Sequence, residues 1–145
     1  MKTPFNPSAR AIKRVKNPLP KPEACHCCGG SVEAVRNSEI YNGRSFGEWP
    51  WVYLCRSCGA YVGMHPFTDI PLGTLADKET RIARKRSKAP FEQLHRTGLM
   101  SRSEAYRRLA SKLGIKKEEC HFGWFDAEMC ERAEEAVREV LLECF

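Results

Sequence analysis

The chain has 145 residues, 42% of them hydrophobic and 29% charged, and a formal net charge of +6. That length suits one domain, no apolar run approaches the ~18 residues of a membrane span, and the N-terminus lacks the apolar stretch of a secretory signal. A soluble protein of a reducing cytoplasm is expected, with polyanionic partners favoured by the charge and no membrane among them.

Over 1–22, Lys2, Arg10, Lys13, Arg14, Lys16 and Lys21 stand among Pro4, Pro7, Pro18, Pro20 and Pro22 without a single acid. With so little apolar surface to bury, this stretch reads as a disordered basic arm that could lie along phosphates or serve as a solubilising tail.

The strongest chemical signal follows. Cys25-His26-Cys27-Cys28-Gly29 and Cys55-Arg56-Ser57-Cys58-Gly59 are two C-x-x-C-G knuckles, 30 residues apart. Two thiolate pairs at this spacing suit one tetrahedral Zn²⁺. The glycine after each pair permits the positive φ that turns backbone N–H groups toward sulfur. Cys25, Cys28, Cys55 and Cys58 are thus the expected ligands, with Cys27 or His26 as substitutes in a shifted register. In a secreted protein the eight cysteines could instead form disulfides. Four thiolates leave no open coordination position, so the expected zinc is a structural staple.

Between the knuckles, 31–35 alternates like a strand, and Asn42-Gly43 has the signature of a type I′ turn. A return strand is expected through Phe46 and Trp49, interrupted at Pro50 and resumed over 51–54. A closing strand is expected over 60–64. The zinc ribbon is placed at 23–66, and 67–73 reads as a connector because Pro66 and Pro71 disfavour helix before them. His65 reads as a structural residue.

Thr74 is expected to cap a helix reaching about His95, with Asp77 at its third position and a kink or break at Pro90. The run 78–88 carries a charge of +5, and Arg81, Arg84, Lys85 and Lys88 share one face. Ser101-x-x-Glu104 is a capping box opening a helix to Leu113, with Ala105, Leu109 and Leu113 buried, Gly114 as stop, and Arg102, Arg107, Arg108 and Lys112 outside. Phe122, Trp124 and Phe125 read as core. Asp126 caps a last helix with Cys130, Ala133, Val137, Val140, Leu141 and Cys144 on its apolar face. The run 126–145 carries −5, placing that helix away from any nucleic acid. The spacing of Cys120, His121, Cys130 and Cys144 matches no standard knuckle, so core packing is expected over a second metal site.

The run Trp49-Pro50, Tyr53, Cys55-x-x-Cys58-Gly59-Ala60-Tyr61-Val62-Gly63-x-His65-Pro66 resembles a family of zinc-finger-containing proteins of unknown function found in bacteriophages and bacterial mobile elements. The likeness continues through 71–77, Arg81-x-Ala83-Arg84, Arg102-x-Glu104-Ala105-Tyr106, Leu109-Ala110, Leu113-Gly114-Ile115 and Cys120-His121-x-Gly123, leaving out only the arm. The resemblance implies a zinc finger and a bacterial host cell, and no particular activity. Members of that family often carry Ala-His where this chain has Ser87-Lys88, and tryptophan in place of His95 and Arg108. The chain therefore has no imidazole at position 88 and a more cationic surface.

The expected fold is α+β: an N-terminal zinc ribbon of short antiparallel hairpins, then a small bundle of about three helices over 67–145 packed on the ribbon. The leading function is a zinc-ribbon module engaging DNA, RNA or a ribonucleoprotein surface. Its candidate contacts are Lys13, Arg14, Lys16, Arg44, Arg56, Arg81, Arg84, Lys85, Lys88, Arg107, Arg108 and Lys112, with Trp49 and Tyr53 as aromatic partners. The alternative is a phage-encoded adaptor or inhibitor docking on a host protein. No Walker loop, nucleophile elbow or H-E-x-x-H is present, so no enzyme or small-molecule substrate is expected. A phosphate-handling site built from His65, Asp77, Arg81 and His121 is the remaining, weaker reading.

Overall fold

A computed structural model describes residues 2–144, so Met1 and Phe145 lie outside the described residues. The chain divides into two compact units, Met1–Asp77 and Lys78–Phe145. The fold is α+β as expected, with four α-helices and one three-stranded antiparallel sheet among the described residues.

The first unit opens with α1 (Ala9–Arg14), capped by Ser8, whose side chain accepts from the Ala11 amide. The arm expected to be disordered thus carries a helical turn, and the Ser8 amide donates to the Phe67 carbonyl at 2.9 Å. Phe5 sets its ring edge-on to Trp51, with centroids 6.3 Å apart.

The sheet runs in the order β1 (Val32–Arg36), β2 (Trp51–Cys55) and β3 (Tyr61–Gly63). Val32 faces Cys55 and Arg36 faces Trp51, while Val52 faces Gly63 and Leu54 faces Tyr61. Because β2 is central, its alternating side chains feed both faces. Tyr53 and Cys55 join Cys25, Ala60, Val62, Met64 and Leu75 on one side, whereas Val52 and Leu54 join Val35 on the other.

The Asn42-Gly43 turn forms, with φ of 54° and 84° and a bond from the Arg44 amide to the Tyr41 carbonyl. The strands do not reach it. Asn37 starts a 3-10 turn over Asn37–Glu39, and its buried amide side chain holds both backbone groups of Phe46. The segment containing Phe46 and Trp49 is therefore a loop, and pairing resumes only at Trp51.

The helix expected to start after Thr74 begins at Lys78 instead. Leu75 and Ala76 are buried, and Ala76 exchanges backbone bonds with Tyr61 (3.1 and 3.2 Å). Pro71 lies opposite Met64 in a second bridge, closed by its neighbours: the His65 amide donates to the Ile70 carbonyl and the Leu72 amide to the Gly63 carbonyl, both at 2.9 Å. These pairings satisfy the open edge of β3 and bind the whole run 67–77 to the ribbon. The unit boundary consequently falls after Asp77 rather than after Pro66, and Asp77 precedes the helix rather than lying inside it.

The second unit consists of α2 (Lys78–Arg96), α3 (Arg102–Leu113) and α4 (Ala127–Glu143), with α2 packed chiefly on α4 and α3 also against α4. Pro90 does not divide α2. Proline removes one backbone bond, but Phe91 and Leu94 directly after it are fully buried and hold the helix on its core. The cap at Ser101 accepts from the Glu104 amide, Gly114 ends α3 at φ 70°, and Asp126 caps α4 by accepting from the Met129 amide at 2.8 Å. Phe122 and Phe125 are buried, with ring centroids 5.2 Å apart and planes inclined by 56°, and Cys120 and Cys130 lie with them in the core. No helix among the described residues is long and apolar enough to cross a membrane.

Candidate metal centre and aromatic surface

The two knuckles are built alike. Cys25 donates its amide to the Gly30 carbonyl (2.8 Å) and Cys55 donates to Ala60 (2.9 Å). Gly29 returns its amide to Cys25 (2.7 Å) and Gly59 to Cys55 (2.8 Å). Both glycines take positive φ, 77° and 83°, where a Cβ would be strained. Gly30 has a different reason to lack a side chain: a Cβ there would lie 3.0 Å from Cys55 Sγ.

These turns bring four sulfurs together. Cys25 Sγ is 3.6 Å from Cys58 Sγ, Cys28 Sγ is 3.4 Å from Cys55 Sγ, and all four ligand atoms lie within 4.8 Å of one another. A tetrahedron with metal–sulfur bonds of about 2.3 Å requires sulfurs roughly 3.8 Å apart, so the spacing fits zinc. Cys25 and Cys55 are buried in the ribbon core, whereas Cys28 and Cys58 face solvent. The Gly30 amide points at Cys28 Sγ (3.4 Å), supporting a thiolate there.

Electrostatics shows what the cluster lacks without a cation. The Cys58 backbone N–H, with further donors, lowers the Cys55 thiol to about 7. At Cys58 the Ala60 N–H acts in the same direction, but desolvation and the neighbouring sulfurs outweigh it and push the thiol up to about 12. Four crowded sulfurs cannot all ionise unaided, and a bound dication is the local charge that makes four thiolates compatible. The donor set and spacing fit one structural zinc ion, held by Cys25, Cys28, Cys55 and Cys58.

A family model for a zinc-finger-containing domain matches residues 21–140. The chain belongs to the DUF3268 family of zinc-finger-containing domains. No curated protein and no solved structure matched the chain.

The other cysteines of this zinc-finger-containing domain lie outside the centre. Cys27 is exposed on the first knuckle, and Cys25, Cys28, Cys55 and Cys58 are the one metal-ligand cluster among the described residues. Burial pushes the Cys120 thiol up to about 11 and that of Cys130 upward too, as expected for core thiols.

The structure sorts the expected cationic contacts by what they already hold. Arg56 pairs with Glu33 and, at 2.8 Å, with Glu39. Arg84 donates to the Phe125 carbonyl at 2.8 Å, and Lys88 lies 3.8 Å from Glu92. Arg107 and Arg108 share Glu104, and Lys112 bridges Glu139 and Glu143. Lys13, Arg14, Lys16, Arg44 and Lys85 make no ion pair among the described residues. Tyr53 is buried, donating its hydroxyl to the Asp69 carbonyl, so it is a core residue and not an exposed contact. His65 and Asp77 belong to the first unit, Arg81 and His121 to the second.

An aromatic residue missed at the level of sequence stands out in the first unit. Phe67 has φ +63°, unusual for a bulky side chain, and is 40% exposed. The turn carrying it is tightly built. Thr68, fully buried, donates to the His65 carbonyl (2.8 Å) and accepts from the Ile70 amide (3.0 Å). Trp49 Nε1 donates to the Thr68 carbonyl (3.0 Å), and the Trp49 and Phe67 rings lie 5.1 Å apart. Phe67 lines two clefts. One, of about 480 Å³, is lined by Arg14, Lys16 and His65 together with the apolar Ala11, Val15 and Pro66; the other, of about 420 Å³, by Lys2, Arg36, Trp49 and Trp51 with Glu48 as its one acid. The Arg36 guanidinium sits 4.9 Å from the Trp51 ring centre. Only His65-Pro66 hints at this turn in the sequence, and nothing there reveals that the ring is left in solvent.

Proposed function

We propose that this chain is a zinc-stapled binding module for single-stranded nucleic acid, free or displayed on a ribonucleoprotein. One observation carries the reading: Phe67 is held in a strained, partly exposed conformation and lines two clefts, one with Arg14 and Lys16 beside apolar side chains, the other with Lys2, Arg36, Trp49 and Trp51. Strain of this kind persists where surrounding bonds over-determine it, and such places are often functional. Bases stack on exposed rings with little sequence preference while nearby cations track the phosphates. Arg14 and Lys16 in one cleft, and Lys2 and Arg36 in the other, supply those cations. The zinc does no chemistry in this reading; it fixes the ribbon from which the surface projects.

The emphasis moves from the basic helix α2 to the arm and ribbon, because Arg84 and Lys88 are engaged within the second unit. A second reading, a phage-encoded module docking on a host protein, draws support from Leu142 on α4 (77% exposed) and Ile82 on α2 (53%). Pull-down from bacterial lysate with and without nuclease separates the two: nuclease-resistant capture favours a protein partner.

The direct test is fluorescence anisotropy with short labelled single-stranded RNA and DNA across a salt series. Loss of one stacked base is worth about 1–3 kcal/mol, so Phe67→Ala is expected to weaken binding roughly 5- to 150-fold, with Phe67→Trp retaining it. Arg14→Gln and Lys16→Gln are expected to flatten the slope of log K against log salt by about 0.7 per lost phosphate contact. Undetectable binding at low salt, or binding indifferent to Phe67→Ala, overturns the proposal.

A further inference from the structure

The helical unit contains a cluster of donors that neither the zinc centre nor the nucleic-acid reading uses. Arg102, at the first position of α3, and Lys117, in the turn after it, line one cleft of about 200 Å³ together with Tyr106, Cys120 and His121. None of its lining residues is acidic. On the rest of α3 the cations are paired: Arg107 and Arg108 with Glu104, Lys112 with Glu139 and Glu143. Arg102 and Lys117 have no carboxylate partner among the described residues. Arg102 reaches only the Tyr106 hydroxyl, at 3.5 Å and with its guanidinium 4.9 Å from the ring, and Lys117 donates to Ser103 Oγ at 2.8 Å.

His121 supplies an independent observation. Its Nε2 is buried and has no hydrogen-bond partner, the one such side-chain atom among the described residues. The ring is fixed against Trp124, with centroids 4.5 Å apart. A buried polar atom without a partner is costly, and the residue that carries it lines a cleft with two cations that hold no carboxylate; together they point to a ligand that supplies the missing bond. Cys120 contributes a neutral wall, since burial raises its thiol to about 11.

We propose that Arg102, Lys117 and His121 form a binding site for a tetrahedral oxyanion of the phosphate class. A planar guanidinium, a point-charge ammonium and an imidazole offer donors from three directions, as phosphate oxygens require. The cleft is smaller than the ~300–1,000 Å³ typical of sites that engulf a whole organic ligand. It accommodates a phosphate group, either free or at the end of a nucleic-acid chain.

The test uses the full zinc-loaded chain and inorganic phosphate at constant ionic strength, with chloride as reference, followed by NMR of the His121 ring and the Arg102 side chain. Saturable shifts centred on those residues are expected. Arg102→Gln and His121→Gln are each expected to weaken binding about tenfold or more, as loss of a charge-assisted bond implies. Zinc content and thermal midpoint, measured alongside, report whether each variant remains folded, and Lys117→Gln on the exposed turn serves as the least intrusive variant. A second arm compares 5′-phosphorylated with 5′-hydroxyl oligonucleotides in the Phe67→Ala background, where stacking is removed: a preference for the phosphorylated end assigns a terminal nucleic-acid phosphate, and equal binding assigns free phosphate. No saturable shift with phosphate, or shifts unchanged by all three variants, overturns the site while leaving the aromatic surface untouched.

Discussion

Replacing Gly30 by alanine tests the metal centre at the point where packing, not backbone freedom, demands glycine. The added Cβ would meet Cys55 Sγ at 3.0 Å, Ser57 Cβ at 3.0 Å and Ser57 Oγ at 2.8 Å, whereas ordinary contact begins near 3.4 Å. Ser57 is exposed and can swing aside. Cys55 cannot, because it is fully buried and its sulfur already lies 3.4 Å from that of Cys28. Relief therefore requires moving a ligand sulfur by about 0.4 Å, which distorts the tetrahedron. Overpacking of this size costs about 1–3 kcal/mol, or roughly a 5- to 150-fold loss of zinc affinity.

Gly29→Ala provides the contrast, since nothing lies within 4 Å of its Cβ but φ is +77°. There the cost is conformational, about 1–2 kcal/mol, and Gly29→Asn is expected to recover part of it because asparagine tolerates the left-handed region. Gly30→Asn is expected to be worse than Gly30→Ala. The assay is competition with a chromophoric chelator, supported by the thiolate-to-metal absorption of the Co²⁺-substituted protein. Parental affinity in Gly30→Ala, or equal behaviour of the two asparagine variants, refutes the assignment of separate roles to the two glycines.

Thiol accessibility provides a second prediction. With zinc bound, iodoacetamide is expected to modify exposed Cys27 ahead of buried Cys120 and Cys130, and chelation is expected to add Cys25, Cys28, Cys55 and Cys58. Mass spectrometry reads the sites, and labelling of Cys28 or Cys58 at the rate of Cys27 with zinc present would count against the centre. A third concerns Glu104, whose carboxyl is held at about 2, well below its ordinary value of 4.5, by Arg107 first and then Arg108. A depressed carboxylate stabilises the fold above its unfolded value and loses that contribution as pH falls. The stability difference between the parent and Glu104→Gln is thus expected to be constant near neutrality and to shrink between pH 4.5 and about 2. A difference unchanged across that window in acid titrations followed by circular dichroism would sink the assignment.

Local chemistry made much of this protein legible without coordinates. The cysteine ligands follow from spacing plus glycine, because a knuckle is a short-range object whose geometry is set within five residues. The caps at Ser101 and Asp126, the stop at Gly114 and the stripes of α3 and α4 are likewise local, since each depends on neighbours three or four positions away. The type I′ turn at Asn42-Gly43 was legible for the same reason, although the strands expected to flank it were not.

What tertiary structure decided were the long-range pairings. Thr74 has the chemistry of a cap, yet Ala76 bonds to Tyr61, and the demand of the β3 edge for partners overrides the helix signal until Lys78. Pro90 reads as a break, yet the buried Phe91 and Leu94 hold the turn in place. Which cations remain available could not be read from charge runs, because Arg84 finds the Phe125 carbonyl and Lys112 finds Glu139 and Glu143 from far along the chain. Phe67 shows the same limit from the other side: it falls in a stretch that reads only as a connector. Only the bonds of Thr68, Trp49 and Ser8 reveal that the backbone is held where its ring stays partly in solvent. Spacing along the chain fixes which residues can bind a metal, whereas exposure and ion pairing are settled by partners distant in sequence, and these determine which surface is left to bind anything else.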